Sequence, residues 1–517
     1  MIWLIAKKEF RNNILTPGFI IGLLLCLTLM PYTVYTGIKT YENRMAQYEL
    51  DLKEAERVYK ESQVLKQVNP LIVKPVSPLS IFSNGISEQT GSTVKLDNKE
   101  KPTFSSNTVF LNENPFLGGF ISLDFISALA ILLSLLGILF SYNILSQEKE
   151  NGTLKLSLSN SISRSVFYFG KISGIFLTLM PIILICFIII LILIQLSPSI
   201  HFTGSDYGRI GMLILTSGIY FAFFTFLGGF ISSCTKSSTH SIIINLFIWC
   251  FLMFLLPNTA TFLGKNMTKA QDYTQLRYNT RMIDKEFWDT QSPEIEKTLT
   301  NEGLSLQGYY YCAGMDWDGG FLILFTPKAD MEYERRRKEL INPILIENCD
   351  KKWAIQSDYL QQIYQQEKTV RFLSCLSPSE IFKYVASSLC RTDMESEVHF
   401  MEQVRQFQDV FYGYFVQNKI YSSYALFTMQ KEEDFPANFS EASEAVNAWN
   451  EWAKPESTFD FSSFGYVDTA GFPEFTYTQP TLGKDLLNQI YLLVGILVSC
   501  VILFWFSFIS FIRYDVR

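Results

Sequence analysis

Residues with chemical reach are few in this chain of 517 residues. Its three His, His201, His240 and His399, lie far apart, and neither a Gly-x-x-x-x-Gly-Lys-Ser/Thr phosphate loop nor an HExxH helix occurs. That pattern excludes a metal-hydrolase centre and an ATPase contained in the chain itself, so no catalytic, cofactor-binding or metal-binding residue is assigned. Asp316-x-Asp318-Gly319 copies the start of a calcium loop but lacks the later Glu that completes one. What remains is concentrated charge. Between two long apolar runs, residues 147–171 read QEKENGTLKLSLSNSISRSVFYFGK: the acidic pair Glu148 and Glu150, a turn at Asn151-Gly152, then a short helix with Lys155, followed by Arg164 and Lys171. Gly152 lets the chain reverse, the carboxylates can meet basic groups, and Leu154, Leu156 and Leu158 offer an apolar knob. The alternating Ser157, Ser159, Ser161, Ser163 and Ser165 read as solvated surface. Charge and turn chemistry alone leave the stretch equally open to being an ordinary connector.

The elements that must position this loop are membrane spans. The composition is 48% apolar with 44 Phe, gathered in six runs that each approach the roughly 20 apolar residues needed to cross a bilayer. The expected fold class is an α-helical polytopic membrane protein, with six transmembrane helices and two mainly helical extracytoplasmic insertions that carry some short strands. Residues 1–16 predict an amphipathic interfacial helix, and 17–37 the first span. Residues 38–120 form the first insertion, and 121–263 the second to fifth spans with the loop 147–171. The second insertion covers 264–485, and 486–517 the sixth span and C-terminus. Residues 41–68 lack Gly and Pro and predict a helical extension of the first span, whereas 69–109 predict loop with short strands.

Cations set the orientation. With the N-terminus inside, the inner segments hold Lys7, Lys8, Arg11, Lys149, Lys155, Arg164, Lys171, Lys236, Arg513 and Arg517 against only Glu9, Glu148, Glu150 and Asp515. This is the positive-inside pattern with both termini cytoplasmic. The net charge of −7 therefore describes the outer parts and gives no sign of nucleic-acid binding.

In the second insertion, residues 268–300 and 328–373 predict two helices able to pair as an antiparallel stalk, with Pro343 at a start or kink rather than inside a helix. Residues 308–325 predict a loop and a short strand. Ser377-Pro378 opens an amphipathic helix whose Ile381, Phe382, Val385 and Leu389 suit the outer membrane face. Cys312, Cys349, Cys375 and Cys390 permit two disulfides in an oxidising compartment. Cys375 and Cys390, about 18 Å apart across a helix, should not pair with each other, and free thiols remain equally open. Asp124 and Arg209 read as interfacial, Asn143 and Asn245 as helix-to-helix hydrogen-bonding groups, and Gly218, Gly228 and Gly229 as sites of close helix packing.

Glu148-x-Glu150-x-Gly152-Thr153-Leu154, Leu158-Ser159-Asn160, Ser163-Arg164 and Gly170-Lys171 together resemble the hallmark loop of ABC-2 type transporter permeases, between spans 2 and 3. Leu376-Ser377-Pro378, Arg391-Thr392-Asp393 and the ending from Phe511 to Arg517 resemble the branch with large extracytoplasmic domains. That branch commonly shows Gly-Thr where this chain has Arg391-Thr392. The resemblance implies a permease subunit, without an ATP site of its own, in the inner membrane of a bacterium. It implies an ABC ATPase subunit that binds the ATP and is contacted through Glu148, Glu150, Gly152, Thr153, Leu154 and Arg164. A second copy or a homologous permease would complete the transporter, with the lipid bilayer around it, an envelope partner open and export the usual direction. The alternative is a membrane-anchored scaffold or receptor whose stalk binds a partner without transport. An intramembrane enzyme is disfavoured by the scarcity of His and of intramembrane acids.

Overall fold

Pro17 opens the helix that sets the frame. The structure, a computed structural model, describes residues 1–86, 91–96, 103–104, 124–159, 162–306, 312–315, 321–452 and 466–514. The calcium-loop fragment 316–319, Asn160 and the last three residues lie outside the described residues. α1 (Ile2–Ile14) is the expected N-terminal helix. α2 (Pro17–Glu61) begins on Thr16, whose hydroxyl accepts from the Phe19 N–H, and runs 45 residues through Pro31. The apolar stretch and the charged stretch after it therefore form one rod.

Five more helices, six in all among the described residues, are long and apolar enough to cross a membrane. They are α3 (Phe125–Ser141) continued by α4 (Ser146–Glu150); α6 (Arg164–Gln195), which follows the short α5 (Thr153–Ser159); α7 (Gly204–Cys234); α8 (Ser238–Cys250) continued by α9 (Leu256–Met267); and α16 (Leu482–Arg513). They coincide with the six apolar runs, and the fold is an α-helical polytopic membrane protein. α3 is the central helix, with nearly every side chain buried, whereas α8, α9 and α16 turn most of theirs outward. α7 approaches α3 so closely that a Cβ on Gly228 would stand 1.9 Å from the Ser141 Oγ. The two asparagines do less between helices than expected. Asn245 donates to the Ser241 carbonyl of its own helix and Asn143 to Gln147, while bonds that cross between helices include Ser241 Oγ to the Tyr142 carbonyl at 2.5 Å and Trp249 Nε1 to Ser134 Oγ at 2.8 Å.

α8 and α9 meet in a π turn, Phe251–Leu255, that leads into Pro257. Leu256 donates to the Phe251 carbonyl, but Pro257 has no N–H for the next carbonyl, that of Leu252. Ser377 Oγ supplies the missing bond at 2.7 Å. Ser377 is thus the N-cap residue of α13 (Pro378–Cys390) without a side-chain cap, its hydroxyl being committed to the neighbouring span.

The second insertion contains α10 (Tyr273–Glu286), α11 (Ser292–Asn301) and α12 (Lys328–Ser374). Gly264 meets Val370, Leu276 clusters with Tyr359 and Ile363, and Ile295 and Leu299 with Tyr333 and Ile341. The contacts descend along α12 as the chain ascends, so the expected antiparallel stalk forms and continues the fifth span. Pro343 corrects the expectation: it lies inside α12. Ile341 and Asn342 beside it are buried, so packing offsets the hydrogen bond that the proline removes.

α13 also differs from expectation. Ile381, Phe382, Val385 and Leu389 face α3, α7 and α16 instead of lipid, and Phe382 stacks on Tyr220 with ring centres 4.7 Å apart. The helix plugs the end of the bundle opposite residues 147–171. It ends at Arg391 with φ +59°, the left-handed conformation that favours glycine, which gives the departure from Gly-Thr its physical meaning. Because α13 covers this end, Arg209 is fully buried rather than interfacial. Its guanidinium donates to Asp485 at 2.6 Å and to the carbonyls of Leu389 and Pro480, tying α7 to α13 and α16. Asp124 caps α3 through the Ser127 N–H.

The two insertions share one core. β1 (Leu71–Val73), β2 (Thr93–Lys95) and β3 (Thr103–Phe104) form an antiparallel sheet in that order, with Ile72 opposite Val94. Ile72 and Val94 pack with Phe400, Phe411 and Phe415 of α14 (Met394–Gln417) and with Ile323 of β5 (Phe321–Ile323), which pairs with β4 (Cys312–Met315). Lys74 bridges to Glu397, and Ile86 N–H donates to the Thr392 carbonyl at 2.9 Å. α15 (Phe439–Trp452) follows at the periphery. Cys349, Cys375 and Cys390 are free thiols; the Cys312 side chain lies outside the described residues.

A Cβ on Gly37 would stand 2.3 Å from the backbone oxygen of Ile81. Gly37→Ala is therefore expected to push α2 away from the turn Pro78–Ile81 and cost about 1–3 kcal/mol. Thermal unfolding of the detergent-solubilised chain measures it; an unchanged transition would refute the close contact.

Candidate functional site

Residues 147–171 are read most clearly from their anchors. α4 carries Glu148, Lys149 and Glu150 in sequence, and each binds a different helix. Glu148 accepts from Lys171 at 2.7 Å, and the same ammonium meets Glu9 of α1 at 2.9 Å. All three side chains are largely buried, with exposures of 19%, 8% and 15% for Glu148, Lys171 and Glu9. The one cation touches both carboxylates, so each of these ions has an opposite charge beside it, although the trio keeps one net negative charge. Glu148 also accepts from the Thr153 hydroxyl. Close packing assists: a Cβ on Gly170 or Gly174 would intrude within 2.7 or 2.4 Å of α1 side chains.

Lys149 and Glu150 clasp the turn between α7 and α8. The Lys149 ammonium reaches the carbonyls of Ser232, Ser233 and Thr235 at the end of α7. The Glu150 carboxylate accepts from the Ser238 N–H at the start of α8 at 2.9 Å. A cation at a helix C-terminus and an anion at a helix N-terminus each satisfy backbone groups with no intrahelical partner and complement the helix dipoles. Tyr514 packs under the Lys149 ammonium at 4.4 Å, and Arg164 donates to the carbonyls of Ile512 and Tyr514, closing the end of α16. Ser163 caps α6 through the Val166 N–H.

The site residues named from sequence thus divide. Glu148 and Arg164 are partly buried and Glu150 is exposed, yet all three bond to neighbouring elements, at α1, α6, α8 and α16. Leu154 is buried at 2% exposure while Leu156 stands 69% exposed. Gly152 takes φ +70° and has open space around it. The outward surface includes Glu150, Asn151, Gly152, Thr153, Lys155 and Leu156; the side chain of Leu158 lies outside the described residues. Sequence reasoning missed Lys149 and Tyr514. The available signal was the Lys-Glu succession beside a short turn, where two helix ends of opposite polarity must meet.

Among the described residues, six membrane-length helices with a polar loop at one bundle end and α13 at the other define a multi-pass membrane protein. The chain belongs to the ABC-2 family of transporter proteins: the family model described as "ABC-2 family transporter protein" matches residues 3–516. It is accordingly the membrane component of an ABC transporter, a family whose permeases work with an ATPase partner rather than an ATPase of their own. Comparison with curated proteins gives no match.

Removing the shared cation should leave Glu9 and Glu148 facing each other. Lys171→Met is expected to cost about 3 kcal/mol, and adding Glu148→Gln to recover part of it. Unfolding of both variants tests this; equal losses would show that Lys171 does not hold the carboxylates.

Proposed function

We propose that this chain is the transmembrane subunit of a bacterial ABC exporter in the inner membrane, with both termini and residues 147–171 in the cytoplasm. A separate ATPase subunit binds the ATP, so the permease needs no cofactor of its own, and a second copy or a homologous permease completes the assembly. The observation that carries the reading is the set of anchors on α4 and on the first residue of α6. A displacement of α5 pulls on the ends of α1, α6, α7, α8 and α16 through Glu148, Lys149, Glu150 and Arg164. That arrangement supports a coupling element in which these residues transmit force and the outward Thr153, Lys155 and Leu156 meet the ATPase. The stalk of α9, α10, α11 and α12 and the α13 plug then move with the fifth span.

The double variant Lys155→Glu/Leu156→Asp should lower retention of the co-purified ATPase roughly tenfold, an energy of about 1.4 kcal/mol, without shifting the unfolding temperature, because neither side chain is buried. If ATPase retention is unchanged in the double variant, the outward face of α5 is not the contact. If the wild-type chain never retains an ATPase, the transport reading fails.

A further inference from the structure

α2 continues beyond its apolar stretch, and a groove runs along the continuation. Its near part is a cavity of about 470 Å³ that begins at Thr40, one turn past Gly37, and is lined on the helix by Thr40, Arg44, Gln47 and Asp51. These positions recur at helical spacing and form one face. Opposite them stand Lys74, Ser80 and Arg391. Its far part, about 520 Å³, is lined on the helix by Tyr48, Leu52, Ala55 and Tyr59, and across from them by Ile72, Phe407 and Phe475. Pro75 and Tyr477 line both parts, so the two adjoin. From Thr40 to Tyr59 the groove follows about 30 Å of helix.

The chemistry changes along its length. The near part brings together three cations, Arg44, Lys74 and Arg391, and one acid, Asp51, which is already held by Gln47 at 2.7 Å and Ser92 at 3.2 Å. Lys74 is balanced by Glu397 and Arg391 by Asp206 at 3.5 Å. Even so, the buried Arg391 Nε and Ser80 Oγ have no hydrogen-bond partner among the described residues. Buried donors of this kind are rarely left unmade, and a guanidinium favours phosphate or carboxylate oxygens. Arg391 also occupies a backbone conformation suited to glycine, so the local fold does not call for an arginine there. The far part, by contrast, is walled mainly by aromatic and aliphatic side chains, with Glu56, Lys60 and Glu474 also in its lining.

We infer that this groove binds an anionic amphiphile, its phosphate or carboxylate group among Arg44, Lys74 and Arg391 and its apolar body along Tyr48, Leu52, Ala55 and Phe475. The inference goes beyond the transport reading, and binding stands without an ATPase.

The purified full chain in nanodiscs of neutral lipid is titrated with octyl phosphate, octanol and inorganic phosphate. Octyl phosphate should bind saturably, octanol should not, and inorganic phosphate should bind at least about tenfold more weakly. Arg391→Gly suits the left-handed backbone and removes the cation; it should weaken octyl phosphate about tenfold. Ala55→Trp, on a half-exposed helix face, should weaken octyl phosphate and leave inorganic phosphate unchanged. Equal affinity for octyl phosphate and inorganic phosphate would overturn the amphiphile in favour of a free anion. Absence of saturable binding, equal binding of octanol, or unchanged affinity in both variants would overturn the site. No ATP or ATPase is present, so failure here is distinct from failure of the transport reading.

Discussion

A charge withdrawn from water must be met by another charge, and both ends of this helix bundle are closed by meeting that condition. At one end the Lys171 ammonium sits between Glu9 and Glu148; at the other the Arg209 guanidinium binds Asp485 and two carbonyls. Each contact joins elements distant in sequence. Lys171 holds α1 to α6 and to the loop before it, while Arg209 holds α7 to α16 and to α13. Apolar packing between spans is non-directional, whereas these ion pairs have one satisfied geometry, so they fix how the spans are arranged at their ends.

Backbone groups impose a second constraint. A helix end exposes carbonyls or N–H groups that need partners, and here the partners come from other helices. Lys149, Glu150 and Arg164 serve the ends of α7, α8 and α16, and Ser377 serves the carbonyl that Pro257 leaves free. The stalk is thereby continuous with the bundle. α9 extends the fifth span, pairs with α12, and α12 leads into α13, whose own N-cap residue returns to the turn between α8 and α9. The two bundle ends are thereby linked through helices joined by directional bonds.

Much of the fold was legible from hydropathy. Six runs of apolar residues, the breaker-free stretch after the first span, and the four-residue recurrence of Ile355, Tyr359 and Ile363 are local patterns, and local patterns determine helices. The site was legible in position but not in orientation. The Glu-x-Glu-x-Gly loop stands out by charge and turn chemistry, yet the same carboxylates read equally as an outward docking surface. Arg209 at the edge of a span likewise reads as interfacial until α13, some 170 residues later, is laid over it.

The sequence by itself determined the membrane spans, the side of the charge bias, the stalk helices and the place of the polar loop, because each follows from the burial preference of neighbouring residues. Tertiary structure alone decided that α13 is a plug and not a surface helix, that Pro343 lies inside a helix, that two insertions share one core, and which helix ends Glu148 and Glu150 bond. In each of these the deciding partner is far away in the chain. Amphipathicity states that a face must be covered, and charge states that an ion must be met, but neither names the residue that does it.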